Sequence, residues 1–145
     1  MNKKILNTHP ETAKDGTKMK SKLEVRIYET LQKMGIQPAY EGEVFTYWTG
    51  IRPTVPFYDK SKTGHNRLNM KKLISMNYTP DFVFIYKGTK VIIEVKGFEN
   101  DQFPIRKKLF RAFLETLDYP VVYAEIFTKR QLLEFMNTLN NQQEC

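Results

Sequence analysis

The sequence is poor in cysteine. Cys145, the final residue, is the only cysteine among 145 residues, so the chain cannot form an internal disulfide or a cysteine-based zinc cluster. Long apolar runs are missing as well. No stretch approaches the roughly 18 residues that a membrane helix requires, and the N-terminus lacks the apolar segment of a secretory signal. We therefore expect a cytoplasmic protein with no membrane partner.

Acidic residues are in the minority. Asp and Glu number 16 against 23 Lys and Arg, which gives a net charge of +7, and a small domain of this charge favours polyanionic partners. The length suits one domain, and a hydrophobic fraction of 41% is enough for a core. The expected organisation is a flexible basic N-terminal arm over residues 1–20, followed by a single domain over residues 21–141.

Positive charge is concentrated in residues 50–76, where Asp59 is the single acidic residue. Pro53, Pro56 and Gly64 predict a long loop here, and loops of this length are uncommon in compact domains unless they function. We expect this basic insertion to contact DNA. The cations predicted to do so are Arg52, Lys60, Lys62, Arg67, Lys71 and Lys72. The alternative is a solvated insertion with no partner.

Periodicity and turn residues predict an α/β fold. Helices are expected over residues 21–35, over 104–117 and from 128 onward, and strands over 39–48, 78–86, 90–96 and 121–127. This order predicts a small mixed β-sheet flanked by helices. In the second helix, Ile105 and Leu109 are expected to face inward. Tyr47 and Trp48 are interpreted as core or interface residues, with a stacking surface for unpaired bases as the alternative.

Two of the predicted strands form a hairpin around Lys87-Gly88. A loop centred there places Asp81 directly opposite Glu94, and Lys96 lies on the same face, two residues beyond Glu94. Like charges directly opposite each other destabilise a sheet, and a divalent cation between them would remove the conflict. The alternative is an ion pair between Lys96 and one of the two carboxylates.

This arrangement suits Mg²⁺-dependent cleavage of a phosphodiester bond. Mg²⁺ takes oxygen ligands, and the predicted ligands are Asp81, Glu94 and the backbone carbonyl of Val95. The metal lowers the pKa of a bound water and orients it for in-line attack. Lys96 would hold that water or stabilise the charge that develops on phosphorus.

Residues outside the hairpin complete the predicted site. Glu24 lies on the border of the apolar stripe of the first helix, where it would assist as a metal ligand or water positioner. The alternative is that Glu24 forms a capping box with Ser21. Arg106, Lys107 and Arg111 lie beside the predicted inward stripe of the second helix and are expected to contact backbone phosphates, with solvated surface as the alternative.

Thr79-Pro80-Asp81-Phe82, followed by Ile93-Glu94-Val95-Lys96-Gly97, resembles the core motif of the PD-(D/E)XK nuclease superfamily. Ser21-Lys22-Leu23-Glu24 resembles the first-helix motif of phage endonuclease I type Holliday-junction resolvases within that superfamily. Residues 96–110 are similar to small phage-encoded nucleases of the same class. The four active-site positions match as Glu24, Asp81, Glu94 and Lys96.

The resemblance implies a restriction-endonuclease-like core of helix, three strands, helix and strand. It also implies a metal-dependent DNA endonuclease that uses Mg²⁺ or Mn²⁺, leaves a 5′-phosphate and is often a homodimer. A phage origin would place the protein in the host cytoplasm. The hairpin is longer than a junction resolvase would lead us to expect, and residues 50–76 are not part of the motif.

Structure-selective cleavage of branched DNA, as in recombination, is therefore our first hypothesis for the function. The alternatives are a general or sequence-dependent endonuclease of the same fold and a non-catalytic nucleic-acid binding module, for which the charge alone would suffice. A third alternative is a protein-interaction domain that has only the architecture. It would show no salt-dependent affinity for DNA.

Overall fold

A computed structural model of the protein describes residues 10–97 and 103–142, which form a mixed α/β fold. The strands are β1 (Glu11–Thr12), β2 (Lys18–Met19), β3 (Ala39–Tyr40), β4 (Phe45–Trp48), β5 (Tyr58–Lys60), β6 (Asn66–Leu68), β7 (Met76–Tyr78), β8 (Phe82–Tyr86), β9 (Thr89–Val95) and β10 (Val121–Ile126). The helices are α1 (Lys22–Lys33), α2 (Phe103–Leu114) and α3 (Lys129–Asn141). In this part of the chain, no helix has the length and apolar character needed to cross a bilayer. Residues 1–9 of the predicted arm and Cys145 lie outside the described residues.

The central sheet has the strand order β10-β9-β8-β3. Strand β10 runs parallel to β9, and the other two pairings are antiparallel. The β8–β9 hairpin turns at Lys87 and Gly88, both with positive φ, and pairs Phe82 with Ile93. This is the predicted register. It fixes which side chains of β8 and β9 share a face.

Each face of the sheet is covered by its own hydrophobic cluster. Phe82 and Ile93 pack with α1 and α3 on one face, whereas Val83 and Ile92 pack with Phe110 of α2 on the other. Because side chains alternate along a strand, the residues next to these pairs in register also divide between the two faces. The face covered by α2 is the one that continues into Asp81 and Glu94.

Helix α1 begins as predicted. Ser21 is the N-cap and its Oγ accepts a hydrogen bond from the backbone N–H of Glu24 at 3.1 Å. Ile27 and Leu31 are fully buried, and Gly35 follows the helix with φ +80°, which a residue without a Cβ adopts at little cost. The predicted cap and exit are therefore confirmed, as is the apolar stripe at Ile27 and Leu31, whereas Met34 at its end is 40% exposed.

Helix α2 is rotated so that two residues predicted to face inward are exposed. Ile105 is 66% exposed and Leu109 is 42% exposed, while Phe103 and Phe110 are buried. The ring of Phe110 packs edge-on against Tyr78, with the centroids 4.6 Å apart. The inward prediction for Ile105 and Leu109 was wrong because aromatic contacts with the neighbouring strands set the rotation of the helix.

Two predicted strands are each divided in two. The strand expected over residues 39–48 is interrupted at Glu41, which has φ +48°, so that β3 pairs with β8 and β4 pairs with β7. The strand expected over residues 78–86 is interrupted around Pro80, since proline has no N–H to donate to a ladder. Both interruptions lie at the start of β8, which Asp81 directly precedes.

Residues 10–20 do not form the expected flexible arm. Strands β1 and β2 pair as a short hairpin, and Ala13 and Met19 are buried in the core with α1. Asp15 in the turn accepts hydrogen bonds from the hydroxyl of Tyr28 at 2.5 Å and from the backbone N–H of Thr17 at 2.9 Å. Burial of two side chains and this carboxylate contact tie the segment to the domain.

The basic insertion contains regular structure. Strands β4 and β7 pair, a bridge between Ile51 and Leu73 continues the pairing, and β5 and β6 form a hairpin beyond it. We call residues 49–75 the ribbon. A Cβ on Gly50, which has φ +75°, would overlap the carbonyl oxygen of Leu73, so the close approach at its base needs glycine. All of its residues are exposed or half-buried, so the predicted long loop is a projecting β-hairpin.

Candidate active site

A cleft of about 670 Å³ opens between α1, β7, the end of β9 and the start of α2. It is lined by residues from all of these elements, among them the four residues predicted to be catalytic. Those four are Glu24, Asp81, Glu94 and Lys96. The fold therefore brings together side chains from α1, from the residue before β8, and from β9 and the residue just after it.

Asp81 is buried at the start of the β8–β9 hairpin. Since Phe82 pairs with Ile93, Asp81 occupies the next register position, opposite Glu94, as predicted. Its Oδ2 accepts a hydrogen bond from the backbone N–H of Val95 at 2.7 Å. That bond fixes the carboxylate against the neighbouring strand.

Glu94 is held by a tyrosine from outside the hairpin. The hydroxyl of Tyr78 donates to Glu94 Oε2, and the Tyr78 and Tyr123 hydroxyls lie 3.3 Å apart. Burial, and then the negative charge of Glu94, raise the pKa of Tyr78 far above its ordinary value. Tyr78 therefore stays protonated and remains a donor to the carboxylate.

The two facing carboxylates resist ionisation. Burial is the main cause that raises the pKa of Asp81, and the charge of Glu94 adds to it. Burial also raises the pKa of Glu94, although the hydrogen bond from Tyr78 and the charge of Lys96 act in the opposite direction. Desolvation and like-charge proximity both favour the neutral acid. A positive charge close to both carboxylates favours their ionised forms and so offsets part of this cost.

Lys96 is 6% exposed. Its Nζ lies 4.0 Å from Glu94 Oε1 and 2.7 Å from the centroid of the Phe103 ring. A cation over an aromatic face is attracted by the negative charge of the ring face. Phe103 therefore limits where the ammonium group can lie in the cleft.

Glu24 lies on the α1 side of the cleft, and its carboxylate is hydrogen-bonded. Oε2 accepts from the hydroxyl of Tyr40 at 2.7 Å and from the backbone N–H of Lys20 at 3.0 Å. The bond from the Glu24 N–H to Ser21 Oγ is half of the predicted capping box, whereas the carboxylate accepts from Lys20, one residue before the N-cap. The side chain also lines the cleft, and its assisting role stays a prediction. Its negative charge contributes to raising the pKa of Asp81 and of Glu94.

The donor set fits a hard divalent cation. Asp81 and Glu94 supply carboxylate oxygens, and Val95 also lines the cleft. Residues 10–97 and 103–142 contain no group of three His, Cys, Asp or Glu side chains close enough to hold a metal alone. Mg²⁺ suits such a site, because it is commonly held by one or two carboxylates and completes its shell with water and substrate phosphate.

The chain belongs to the DUF1064 family. The family model, described as a protein of unknown function, matches residues 10–129. That range contains the whole cleft lining, the ribbon and the central sheet of this DUF1064 protein. No curated protein and no solved structure matches the chain.

The cations predicted to bind DNA divide into three groups. Six lie exposed on the ribbon, where Arg67 already pairs with Asp59 through a nitrogen and an oxygen 2.9 Å apart. Arg106 lines the cleft. Lys107 and Arg111 do not line it: Lys107 Nζ is 2.7 Å from an oxygen of Glu125, and Arg111 lies on the exposed face of α2.

Sequence reasoning missed several residues that hold the site in place. Tyr78, Tyr40 and Phe103 each contact one of the four predicted residues. Glu125 stands beside Glu94 in the β9–β10 register. The only signal for Glu125 was an acidic residue within an apolar strand. The tyrosines gave no signal, because their contacts depend on strands that are distant in sequence.

Proposed function

We propose that this DUF1064 protein is a metal-dependent DNA endonuclease with the restriction-endonuclease-like core of the PD-(D/E)XK superfamily. The observation that carries the proposal is the convergence of Asp81, Glu94 and Lys96 in one cleft, with the two carboxylates opposed across the β8–β9 hairpin. The succession α1, β3, β8, β9, α2 and β10 supports it, because this is the element order that the resemblance implies.

Each of the four cleft residues would have its own role in phosphodiester hydrolysis. Asp81 and Glu94 would hold Mg²⁺ or Mn²⁺ with the Val95 carbonyl, and such an ion supplies an activated water and neutralises phosphate charge. Lys96, fixed between Glu94 and Phe103, would orient the attacking water or stabilise the negative charge that develops on phosphorus. Glu24 would position water from the α1 side.

Nucleic acid is the substrate class that the charge distribution favours, and the resemblance implies DNA. The ribbon presents six cations beside the cleft element β7, and Arg106 lies within the cleft. Cations of this kind bind phosphates regardless of sequence. We favour branched DNA, as for a junction resolvase. A homodimer, which the resemblance implies, stays a prediction.

The decisive experiment compares cleavage of a labelled four-way junction, the matched linear duplex and the matched single strand. Wild type is tested with Mg²⁺ and with EDTA, beside Asp81→Asn, Lys96→Met and the exposed control Asp118→Asn. We expect wild type and the control to cut only with Mg²⁺. Loss of either catalytic residue should reduce the rate roughly 100-fold or more, as expected for a group that acts in the transition state.

Melting temperatures show whether a variant is inactive because its active site is altered or because it does not fold. Asp81→Asn replaces a buried carboxyl group, whose ionised form burial and Glu94 both disfavour, with a neutral amide of similar size. Its melting temperature should therefore equal or exceed that of wild type. If wild type binds the three DNAs, cuts none of them with Mg²⁺, and is matched in binding by both variants, the catalytic assignment is wrong. A nucleic-acid binding module would then be the better description.

A further inference from the structure

A second groove adjoins the cleft. It has a volume of about 530 Å³ and lies between the β4–β7 pair and the N-terminal half of α2. The two depressions share Asn77 and Arg106 in their linings. A nucleic-acid strand that lies in the cleft can therefore continue into the groove without leaving the surface.

The lining of the groove is mainly apolar. Tyr47, Ile74, Met76 and Ile105 contribute most of it. Ile74 is 77% exposed and Ile105 is 66% exposed. Neither side chain belongs to the core clusters, so folding does not account for their position. Exposed apolar surface that is contiguous with a functional cleft indicates a binding surface.

The charges around the groove identify the class of ligand. Arg106 stands at its junction with the cleft, and Lys71 and Lys72 lie shortly before Ile74 in the chain. Cations that follow a phosphate backbone, combined with an aromatic platform, are the features with which proteins bind single-stranded nucleic acid. A continuous duplex presents sugar and phosphate to such a surface and keeps its bases stacked inside, so apolar side chains there would have no partner.

We propose that this groove binds an unpaired nucleobase of the DNA strand whose phosphate lies at Asp81 and Glu94, with Tyr47 as the stacking surface. The proposal rests on the proposed function and narrows it. The substrate then has at least one unpaired nucleotide next to the cut, as single strands, gaps and flaps do. A fully paired four-way junction supplies such a nucleotide only when a base pair opens at its branch point.

Binding in EDTA tests the groove without requiring cleavage. The probes are a fluorescently labelled thymine single strand, a linear duplex, and the same duplex with a one-nucleotide gap. The variants are Tyr47→Ala and Ile105→Ala, with Ile85→Ala as control, because Ile85 is equally exposed but lies beside the β8–β9 turn. Melting temperatures identify any variant that fails to fold, and Ile105→Ala, on an exposed helix face, is the safer of the two.

We expect Tyr47→Ala to weaken binding of the single strand and the gapped duplex by about 5- to 150-fold, the range that removal of a base–aromatic stack gives. Ile105→Ala should weaken the same two probes by a smaller factor. Binding of the continuous duplex should change less than about twofold, as should all binding by Ile85→Ala.

The proposal is overturned if groove variants weaken all three probes equally. It is also overturned if the variants leave every affinity unchanged, as they would if the groove received a protein, or if wild type binds no probe. The proposed function stands or fails separately, on whether Mg²⁺-dependent cutting by wild type is abolished in Asp81→Asn.

Discussion

Asp81 and Glu94 are acidic side chains in a place where folding alone would favour neutral ones. Each is removed from water, and each raises the energy of the other in the charged form. The protein nevertheless anchors both: Asp81 through the backbone of Val95, and Glu94 through Tyr78. Such anchoring keeps the two carboxylates close together at the expense of stability.

Tyr78 is the residue through which this anchoring can be tested. Tyr78→Phe removes the hydroxyl that donates to Glu94 and keeps the ring that packs against Phe110. We expect the Mg²⁺ concentration needed for half-maximal cleavage to rise about 10- to 100-fold, as when an outer-shell partner of a metal ligand is removed. Titration of cleavage rate with Mg²⁺ measures this.

Tyr123→Phe is the matched control, because the Tyr123 hydroxyl lies beside that of Tyr78 and Tyr78 alone of the two donates to Glu94. It should shift the Mg²⁺ requirement far less. An unchanged Mg²⁺ requirement in Tyr78→Phe, with a lower melting temperature, would show that the tyrosine serves only the fold.

The residues of the hairpin could be predicted because strand geometry relates them directly. A period of two residues and a turn at Lys87-Gly88 are enough to place Asp81, Glu94 and Lys96 on one face. The partners that hold them could not be predicted this way. Tyr78 contacts Glu94 and Tyr40 contacts Glu24 through tertiary contacts that no local period specifies.

At the scale of elements, the ribbon is set apart from the rest of the chain by its exposure and its charge. Its tip pairs Lys60 with Asn66, and Asp59 is matched to Arg67 on the other face of the hairpin. The carboxylate of Asp59 accepts hydrogen bonds from Arg67 and Asn69 rather than from Lys60 or Lys62. A two-stranded ribbon of these dimensions can enter the major groove of DNA.

Lys60 and Lys62 should therefore contribute to DNA affinity by neutralising phosphates. In the double variant Lys60→Ala/Lys62→Ala, the slope of log affinity against log salt for duplex DNA should become shallower by about 0.9 for each phosphate that the protein no longer neutralises. Fluorescence anisotropy at several salt concentrations in EDTA measures the slope.

The control Lys33→Ala/Lys129→Ala removes the same charge at the ends of α1 and α3. These helices cover the face of the sheet opposite to the one that α2 covers. Equal slopes in the two double variants would disprove a specific role for the ribbon.

The presence of the three helices could also be predicted, whereas the face that each helix buries could be predicted only in part. The caps of α1 and α3 are local hydrogen bonds that Ser21 and Thr128 make with the third residue along the chain, so sequence spacing is enough. The rotation of α2 depends on contacts with distant parts of the chain. Phe103 contacts Lys96, and Phe110 packs against Tyr78 and Tyr123. That is a property of packing.

At the scale of the whole molecule, the carboxylate of Asp15 helps to hold the β1–β2 hairpin to the rest of the domain. Hydrogen bonds, foremost that from the Tyr28 hydroxyl, lower the pKa of Asp15 below its ordinary value of 3.8. A lowered pKa in the folded state stabilises the fold above pH 3.8, and this stabilisation disappears as the pH falls through the folded-state value.

Asp15→Asn should therefore lower the melting temperature at pH 7, and the difference from wild type should shrink steadily below about pH 4. Thermal melts between neutral and acid pH test this, with the exposed Asp118→Asn as control. If the difference between Asp15→Asn and wild type is the same at every pH, the charge of Asp15 does not hold the hairpin.

The base of the ribbon has a consequence for how such proteins can vary. Trp48 and Met76 are direct partners in the β4–β7 ladder, so the chain leaves the domain and returns to it at adjacent positions. A segment inserted between neighbouring points can be lengthened, shortened or exchanged while the chain on either side keeps its path. The length and charge of the ribbon can therefore change between related proteins while the cleft residues keep their positions.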